Sequence, residues 1–162
     1  MKITATEEYG MRCMVRLAAR VGEIVSLADL ARSEGIAAPF AAKVLARLRR
    51  ARLVTAARGR RGGYTLAGAP EQITVAAVLA ALGTPLFDAE YCRRSGDAAQ
   101  GRCGRLGDCA LRPVWVHLDA LLEGFFTRTT LADLLAGEGE TTRQLASRFP
   151  LPTALPAPAR HQ

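Results

Sequence analysis

The pattern of apolar and polar residues predicts three short helices at the start of the chain. The first spans residues 6–21, with Thr6 as its N-cap and Glu8 close to its start. The second runs from Ser26 to Gly35, and the third from Pro39 to about Arg52. Two helices joined by a short turn that contains glycine are typical of a helix-turn-helix, in which the second helix enters the major groove of DNA.

The third helix has two chemically different faces. Its apolar residues fall on one side at helical spacing, and Lys43, Arg47 and Arg50 fall on another. The amino-terminal end, which usually reaches base edges, offers Phe40 and small apolar residues. Sequence discrimination is therefore expected to fall on Lys43, on the hairpin that follows, or on DNA shape.

A hairpin with a basic tip follows this helix. Short strands are predicted at Leu53–Ala57 and Gly63–Ala67. A hairpin in this position is typical of a wing, and its glycines let the tip lie close to a sugar-phosphate backbone. An ordinary surface hairpin would explain the strands but not the crowding of arginines at a glycine-rich tip. The tip residues assigned to DNA are Arg58, Arg60, Arg61 and Gly62.

The second half of the chain predicts a helix at 73–82 and a longer one from Leu111 to about Phe126. The apolar band of the longer helix is wider than one small domain would cover, so we expect part of it to pack on a second copy of the chain. Thr130 caps a further short turn. The expected fold is mainly α with a small β-wing. It comprises a winged helix-turn-helix domain at 1–83, a cysteine-rich loop at 84–110, a dimerisation helix region at 111–136 and a partly disordered tail at 137–162.

The charge distribution supports a polyanionic partner. The formal net charge is +7, and all of the excess lies in residues 1–83, which carry 13 basic and 6 acidic side chains. Residues 43–61 contain eight basic residues and no acidic one. A run of one sign is less typical of a solvated helix face than mixed charges are, so double-stranded DNA is the favoured partner.

Charged residues interrupt the N-terminus, so no secretory signal is predicted, and no apolar run reaches the roughly 20 residues that cross a bilayer. We therefore expect a cytoplasmic protein with no membrane contact. In a reducing compartment, clustered cysteines favour metal or redox chemistry over structural disulfides.

Three of the four cysteines lie in one glycine-rich segment, at Cys92, Cys103 and Cys109. A long loop with three thiols can fold them around a soft metal centre. Zinc is disfavoured because its structural sites usually pair ligands as C-x₂₋₄-C, a spacing that the segment lacks. Redox-active thiols without a metal are the other alternative. The fourth, Cys13, lies in the apolar run of the first helix and is expected in the core.

Taken together, these landmarks resemble the Rrf-two type winged-helix regulators, the family that includes IscR, NsrR and RirA. The resemblance covers residues 1–136. It is based on the MKIT start with an acidic pair, on LADLARSEGI before the third helix, on the three cysteines and on TLADL near the end. The wing phrase RGRRGGYTL is the most specific of them.

The resemblance implies a homodimer on a palindrome-like operator, and an iron–sulfur cluster, [2Fe–2S] or [4Fe–4S], held by Cys92, Cys103 and Cys109. IscR-like members have a histidine three residues past the last cysteine, where this chain has Arg112. NsrR-like members use a carboxylate near the start of the first helix, supplied by the other protomer, and Glu8 stands at that place. The ligand pattern is therefore more similar to that of NsrR-like members.

The expected function is a transcription factor whose operator affinity depends on a cluster that senses nitric oxide, iron or redox state. A winged-helix regulator that uses thiol redox chemistry alone is the second hypothesis, and an iron–sulfur electron carrier or enzyme is the third. The third leaves the basic run unexplained, and no nucleophile–base pair or phosphate-binding loop predicts catalysis. His117 competes with Glu8 as a fourth ligand but is more typical of a buried or interface residue.

Overall fold

The computed structural model describes residues 3–59, 62–83, 103, 105 and 107–150 of the 162-residue chain. Short 3₁₀ helices lie at Pro70–Gln72 and Ala132–Ala136. The α-helices of the described part are α1 (Ala5–Ala18), α2 (Leu27–Glu34), α3 (Ala38–Arg50), α4 (Val75–Leu82), α5 (Leu111–Thr127) and α6 (Glu138–Arg148), and the strands are β1 (Val54–Ala57) and β2 (Gly63–Leu66). The mainly helical fold with a two-stranded wing confirms the sequence prediction.

The N-terminus of α1 is capped by Thr4, so the prediction of Thr6 as N-cap is wrong. The Thr4 hydroxyl accepts a hydrogen bond from the Glu7 amide at 3.3 Å, and the Glu7 carboxylate accepts one from the Thr4 amide at 2.8 Å. This reciprocal capping box needs a Glu or Gln three residues after the cap, and Glu7 has that spacing only from Thr4. The helix ends at Ala18, three residues earlier than predicted.

The helix-turn-helix has the predicted signals at both of its ends. Ser26 caps α2 by accepting from the Asp29 amide at 3.1 Å. Gly35 ends the helix with a φ of 65°, a left-handed conformation that favours glycine. In α3, Ala38 is the first residue and Pro39 the second, so the predicted start is late by one position.

The core lies where α1, α2, α3 and α4 meet. The apolar face predicted for α3 is confirmed as buried, and α4 contributes Val78 and Leu82. Leu131 is fully buried, and its amide donates to the Ile73 carbonyl at 2.9 Å, which ties the start of the 3₁₀ helix at Ala132–Ala136 to the segment just before α4. The largest fully buried side chains are Met14, Leu17, Leu30, Leu45, Leu48 and Leu131.

The wing is attached to the helical core through one extra bridge. Strands β1 and β2 pair antiparallel, with Val54 opposite Leu66, and each is one residue shorter than predicted. Tyr64 exchanges hydrogen bonds of 2.9 and 2.8 Å with the backbone of Val25, just before α2. Gly63 is needed at this contact, since a Cβ there would collide with the Val25 carbonyl. The bridge fixes the root of the wing against the helix-turn-helix.

Part of the predicted tail is helical. Glu138–Arg148 forms α6, a helix that the sequence analysis did not predict within the tail at 137–162. Arg148 pairs with Asp133 at 3.0 Å, and the Phe149 ring packs against Phe125 with centroids 4.7 Å apart. Long-range contacts therefore hold α6 on the 3₁₀ helix and on α5. Residues 151–162 lie outside the described residues. None of the described helices has the length and apolar character needed to span a bilayer.

Candidate nucleic-acid interface

The exposed side of α3 carries a group of basic side chains without carboxylate partners. Within the described part of the chain, none of these side chains forms an ion pair or a hydrogen bond. The arginines of α1 and α2 differ, since Arg12, Arg16 and Arg32 all pair with glutamate or aspartate. Uncompensated positive charge is thus concentrated on α3 and the start of the wing, as a polyanion-binding surface requires. The unpaired residues are Lys43, Arg49, Arg50, Arg52 and Arg58. Arg49 and Arg52 belong to the same basic run but were not among the predicted DNA contacts.

Arg47 also has a structural contact. Its Nη1 donates to the Leu82 carbonyl at 2.8 Å, at the last residue of α4. Carbonyls at a helix C-terminus carry partial negative charge and lack helical partners, so a guanidinium there stabilises α4. Arg47 remains a predicted DNA contact, and it joins the candidate DNA-reading helix to the end of α4.

Phe40 is half-buried at the start of α3. Its ring packs against the core and meets the Tyr9 ring edge-on, with centroids 6.0 Å apart. Much of this side chain is therefore used to hold α3 on α1. The contact of Phe40 with DNA stays a prediction.

The wing tip depends on glycine geometry. Gly59 has a φ of 105°, and the Gly62 amide donates to the Gly59 carbonyl at 2.8 Å. A Cβ at Gly62 would lie 2.6 Å from the Ala57 carbonyl oxygen, so the turn itself requires glycine. Arg58 is exposed beside this turn. Arg60 and Arg61 lie outside the described residues.

A buried carboxylate fixes the helix-turn-helix against α1, and sequence analysis did not identify it. The Glu34 side chain is only 5% exposed and accepts hydrogen bonds from Arg12 Nε at 3.0 Å and Arg16 Nε at 3.1 Å. Burial opposes ionisation, but hydrogen bonds from Arg16, Arg12 and Ser33 outweigh it and lower the pKa of Glu34. An acidic residue in the last turn of a helix opposes the helix dipole, and this placement could have indicated a specific partner.

The structure describes two of the three clustered cysteines. Cys103 and Cys109 are partly exposed free thiols, and Cys92 lies outside the described residues. Cys109 lies two residues before α5, and its carbonyl accepts from the Arg112 amide at 3.3 Å. No group of three potential metal ligands occurs among the residues that the structure describes. Cys13 is buried in the core as predicted, and burial raises the pKa of its thiol to about 11.

The two candidates for a fourth ligand are both at the surface. Glu8 is exposed on α1, with one carboxylate oxygen 3.9 Å from Arg12 Nη1. His117 is exposed on α5, so it is not buried within the described chain, and its alternative role as an interface residue stays a prediction. Neither side chain is buried or fixed by a strong contact with another described residue. Their roles as ligands stay predictions.

Most apolar side chains of α5 face away from the rest of the described chain. None of the 17 residues of α5 is buried, although the helix carries six exposed large apolar side chains. Such a surface is unusual for a protein that remains a monomer. The exposed residues are Leu111, Val114, Trp115, Val116, Leu118 and Leu121.

Comparisons with known proteins agree with this architecture. The model of the Rrf2 family, described as an iron-dependent transcriptional regulator, matches residues 3–137. The chain is 38% identical over 152 residues to the HTH-type transcriptional regulator Rv1287 of Mycobacterium tuberculosis strain H37Rv, covering 92% of this chain and 91% of the relative. It is similar to the solved structure of IscR from T. potens, with a TM-score of 0.65, 30% identity, and 84% and 87% coverage of the two chains. It is also similar to CymR, the global cysteine regulator of B. subtilis, with a TM-score of 0.65, 26% identity, and 84% and 97% coverage.

Proposed function

The chain belongs to the Rrf2 family of transcriptional regulators, and we propose that it is a homodimer whose affinity for its DNA operator is controlled by an iron–sulfur cluster. The proposed ligands are Cys92, Cys103 and Cys109, with Glu8 of the other protomer as the fourth. One observation carries the proposal. Two partly exposed free thiols, Cys103 and Cys109, precede α5 in the chain, and α5 carries an apolar surface that a second copy would cover.

The DNA-binding part of the proposal is supported by the charge on α3. The unpaired basic side chains lie along the exposed face of α3 and continue to Arg58, which lies beside the turn at the wing tip. In a winged helix-turn-helix, these two elements contact the major groove and the neighbouring backbone. Lys43 is the basic residue nearest to the N-terminal end of α3, and so it is the candidate for a base contact. Arg50 and Arg58 are candidates for phosphate contacts.

The homodimer is supported by the uncovered apolar side of α5. Two copies related by a twofold axis would bury this surface against itself, because the same residues would meet from both sides. A twofold dimer would also present two α3 helices to the two halves of a palindrome-like operator. The dimer therefore links burial of α5 to recognition of DNA.

The chemistry of the donor set is suitable for a cluster. Thiolates are the preferred ligands of iron–sulfur clusters, and partly exposed thiols can be reached during cluster assembly. Cys109 lies two residues before α5, the helix whose exposed apolar side would form the dimer contact. When bound, the cluster supplies an iron that small molecules can attack, and an oxygen ligand such as Glu8 leaves it less firmly held. The family description as an iron-dependent regulator agrees with this choice.

The test compares metal content with DNA binding. Anaerobically purified protein should contain iron and sulfide, absorb visible light, and change its affinity for the promoter region of its target when nitric oxide is added. Cys109→Ser should lose most of the iron. Cys13→Ala is the matched control, because it removes a thiol that lies in the core, and it should keep the iron. Protein without iron, sulfide or visible absorption would contradict the cluster.

A redox switch of the same cysteines is the second candidate. It is favoured by the similarity to CymR, the global cysteine regulator of B. subtilis, and by the free thiols of Cys103 and Cys109. This alternative predicts that the number of reactive thiols falls with a mild oxidant while iron stays absent. Titration of thiols before and after oxidation therefore separates the two candidates.

A further inference from the structure

Arg52 has an unusual backbone conformation at the end of α3. It is the one non-glycine residue of the described chain with a positive φ, at 59°. Its amide donates to the Arg49 carbonyl at 3.0 Å, and the Leu53 amide donates to the Leu48 carbonyl at 3.0 Å. These two bonds form a Schellman motif, whose left-handed position is usually occupied by glycine.

The same chain uses glycine at the corresponding position of α2. There Gly35 has a φ of 65°, its amide donates to the Arg32 carbonyl at 3.3 Å, and the Ile36 amide donates to the Ala31 carbonyl at 3.0 Å. A residue with a Cβ is strained in this conformation, whereas glycine is not. The backbone at residue 52 would therefore be more favourable with glycine.

The part of the chain that the structure describes gives the Arg52 side chain no partner that would offset the backbone strain. Arg52 is exposed, and it forms no ion pair, hydrogen bond or ring contact with another described residue. It follows the unpaired Arg49 and Arg50 and lies two residues before β1. Arg52 therefore continues the positive surface from α3 to the wing, at the one point between them where the backbone is strained.

We propose that Arg52 is a DNA-phosphate contact that joins the α3 surface to the wing surface. The inference rests on the proposed binding of DNA by these two elements. A guanidinium presents a planar set of donors that matches a phosphate group. Residues held in sparsely populated backbone regions are often found at functional sites. Contact with DNA would explain an arginine at a position where glycine suits the fold better.

Three substitutions separate the charge from the backbone. Arg52→Gly removes the charge and relieves the strain, Arg52→Asn removes the charge and tolerates the left-handed conformation, and Arg52→Lys keeps the charge. Binding is measured by fluorescence anisotropy with a short random-sequence duplex over a range of salt concentrations. Arg52→Gly should raise the Tm by about 2–4 °C, the shift that relief of this strain gives in a chain of this size.

The same variant should lower the slope of log affinity against log salt by about 0.9, the value for one phosphate. If the two proteins bind equally at 1 M salt, this change in slope makes the binding of Arg52→Gly about eight-fold weaker than that of wild type at 0.1 M salt. Arg52→Asn should show the same loss, and Arg52→Lys should retain most of the slope. Arg143→Ala, which removes an exposed arginine of α6, is the matched control and should leave the slope unchanged.

Glycine and asparagine variants with the affinity and slope of the wild type would overturn the role of Arg52. The variant Lys43→Ala separates a failure of the Arg52 proposal from a failure of the proposed DNA surface. If it weakens binding while Arg52→Gly does not, α3 binds DNA without Arg52. If wild-type protein binds no duplex, the proposed DNA surface and the role of Arg52 are both overturned.

Discussion

The Glu34 contact predicts a loss of stability that depends on pH. Glu34→Gln keeps the shape of the side chain but removes its charge. The amide nitrogen of glutamine then faces the guanidinium of Arg12 or Arg16, and two donors cannot form a hydrogen bond with each other. A hydrogen bond to a charged group contributes about 1.5–3 kcal/mol. Arg12 and Arg16 are 50% and 42% exposed, so water can replace the carboxylate, and the cost should be nearer to one such bond than to two. We expect the free energy of unfolding to fall by about 1–2 kcal/mol, which lowers the Tm by roughly 2–8 °C.

The pH dependence follows from the lowered pKa of Glu34. A carboxylate whose pKa is lower in the folded state stabilises the protein fully above the pKa of an unfolded glutamate, about 4.3. This contribution is lost as the pH falls through the lower pKa of folded Glu34. The difference in the free energy of unfolding between wild type and Glu34→Gln should therefore be largest at neutral pH and should disappear in acid.

The assay is denaturant unfolding of both proteins at neutral and acidic pH, at one fixed protein concentration because a dimer adds a dependence on concentration. Glu140→Gln is the matched control. Its partner Arg143 is 74% exposed, and an exposed pair of this kind contributes less than about 1 kcal/mol. Equal stability of wild type and Glu34→Gln at neutral pH, or an equal difference at both pH values, would refute the reasoning.

Two further predictions concern packing. Gly10→Ala should destabilise the protein by about 1–2 kcal/mol, because the new Cβ collides with the buried Leu82 side chain and overpacking outweighs the gain in helix propensity. A Cβ added by Gly139→Ala in α6 meets no atom within 4 Å, so this variant should be neutral or slightly stabilising. Equal free energies of unfolding for the two variants would contradict the collision with Leu82. Leu121→Glu on α5 should shift the protein toward monomer in sedimentation, whereas Ser147→Glu on α6 should not. An unchanged mass for Leu121→Glu would exclude this side of α5 as the interface.

The elements of the DNA-binding domain could be predicted because their signals are local. Ser26 caps α2, Gly35 ends it, and the apolar spacing of α3 matches one buried face. The cap at Thr130 was found for the same reason, since its hydroxyl accepts from the Asp133 amide. Such signals lie within a few residues of the structure that they specify.

The missed features depend on residues that are distant in the sequence. Glu34 meets Arg16 across 18 positions, and α6 is held by Arg148 on Asp133, 15 positions away. No periodic pattern reports such pairs. The residues of α6 are largely polar, so their apolar spacing gave no helix signal within the predicted tail. The candidate interface was predicted through its run of charge, but the absence of partners for that charge became visible only in the folded chain.

The hydrogen bond between Arg47 and Leu82 makes the position of a charged side chain on α3 depend on the end of α4. The carbonyl that it uses ends α4, and the connection toward the clustered cysteines begins two residues later. A guanidinium anchored there takes its position from α4 as much as from α3. A change that displaces the end of α4 would therefore move or release a positive charge on α3, the candidate DNA-reading helix. If Arg47 contacts DNA as predicted, a displacement at the end of α4 would change the affinity for DNA through this one side chain.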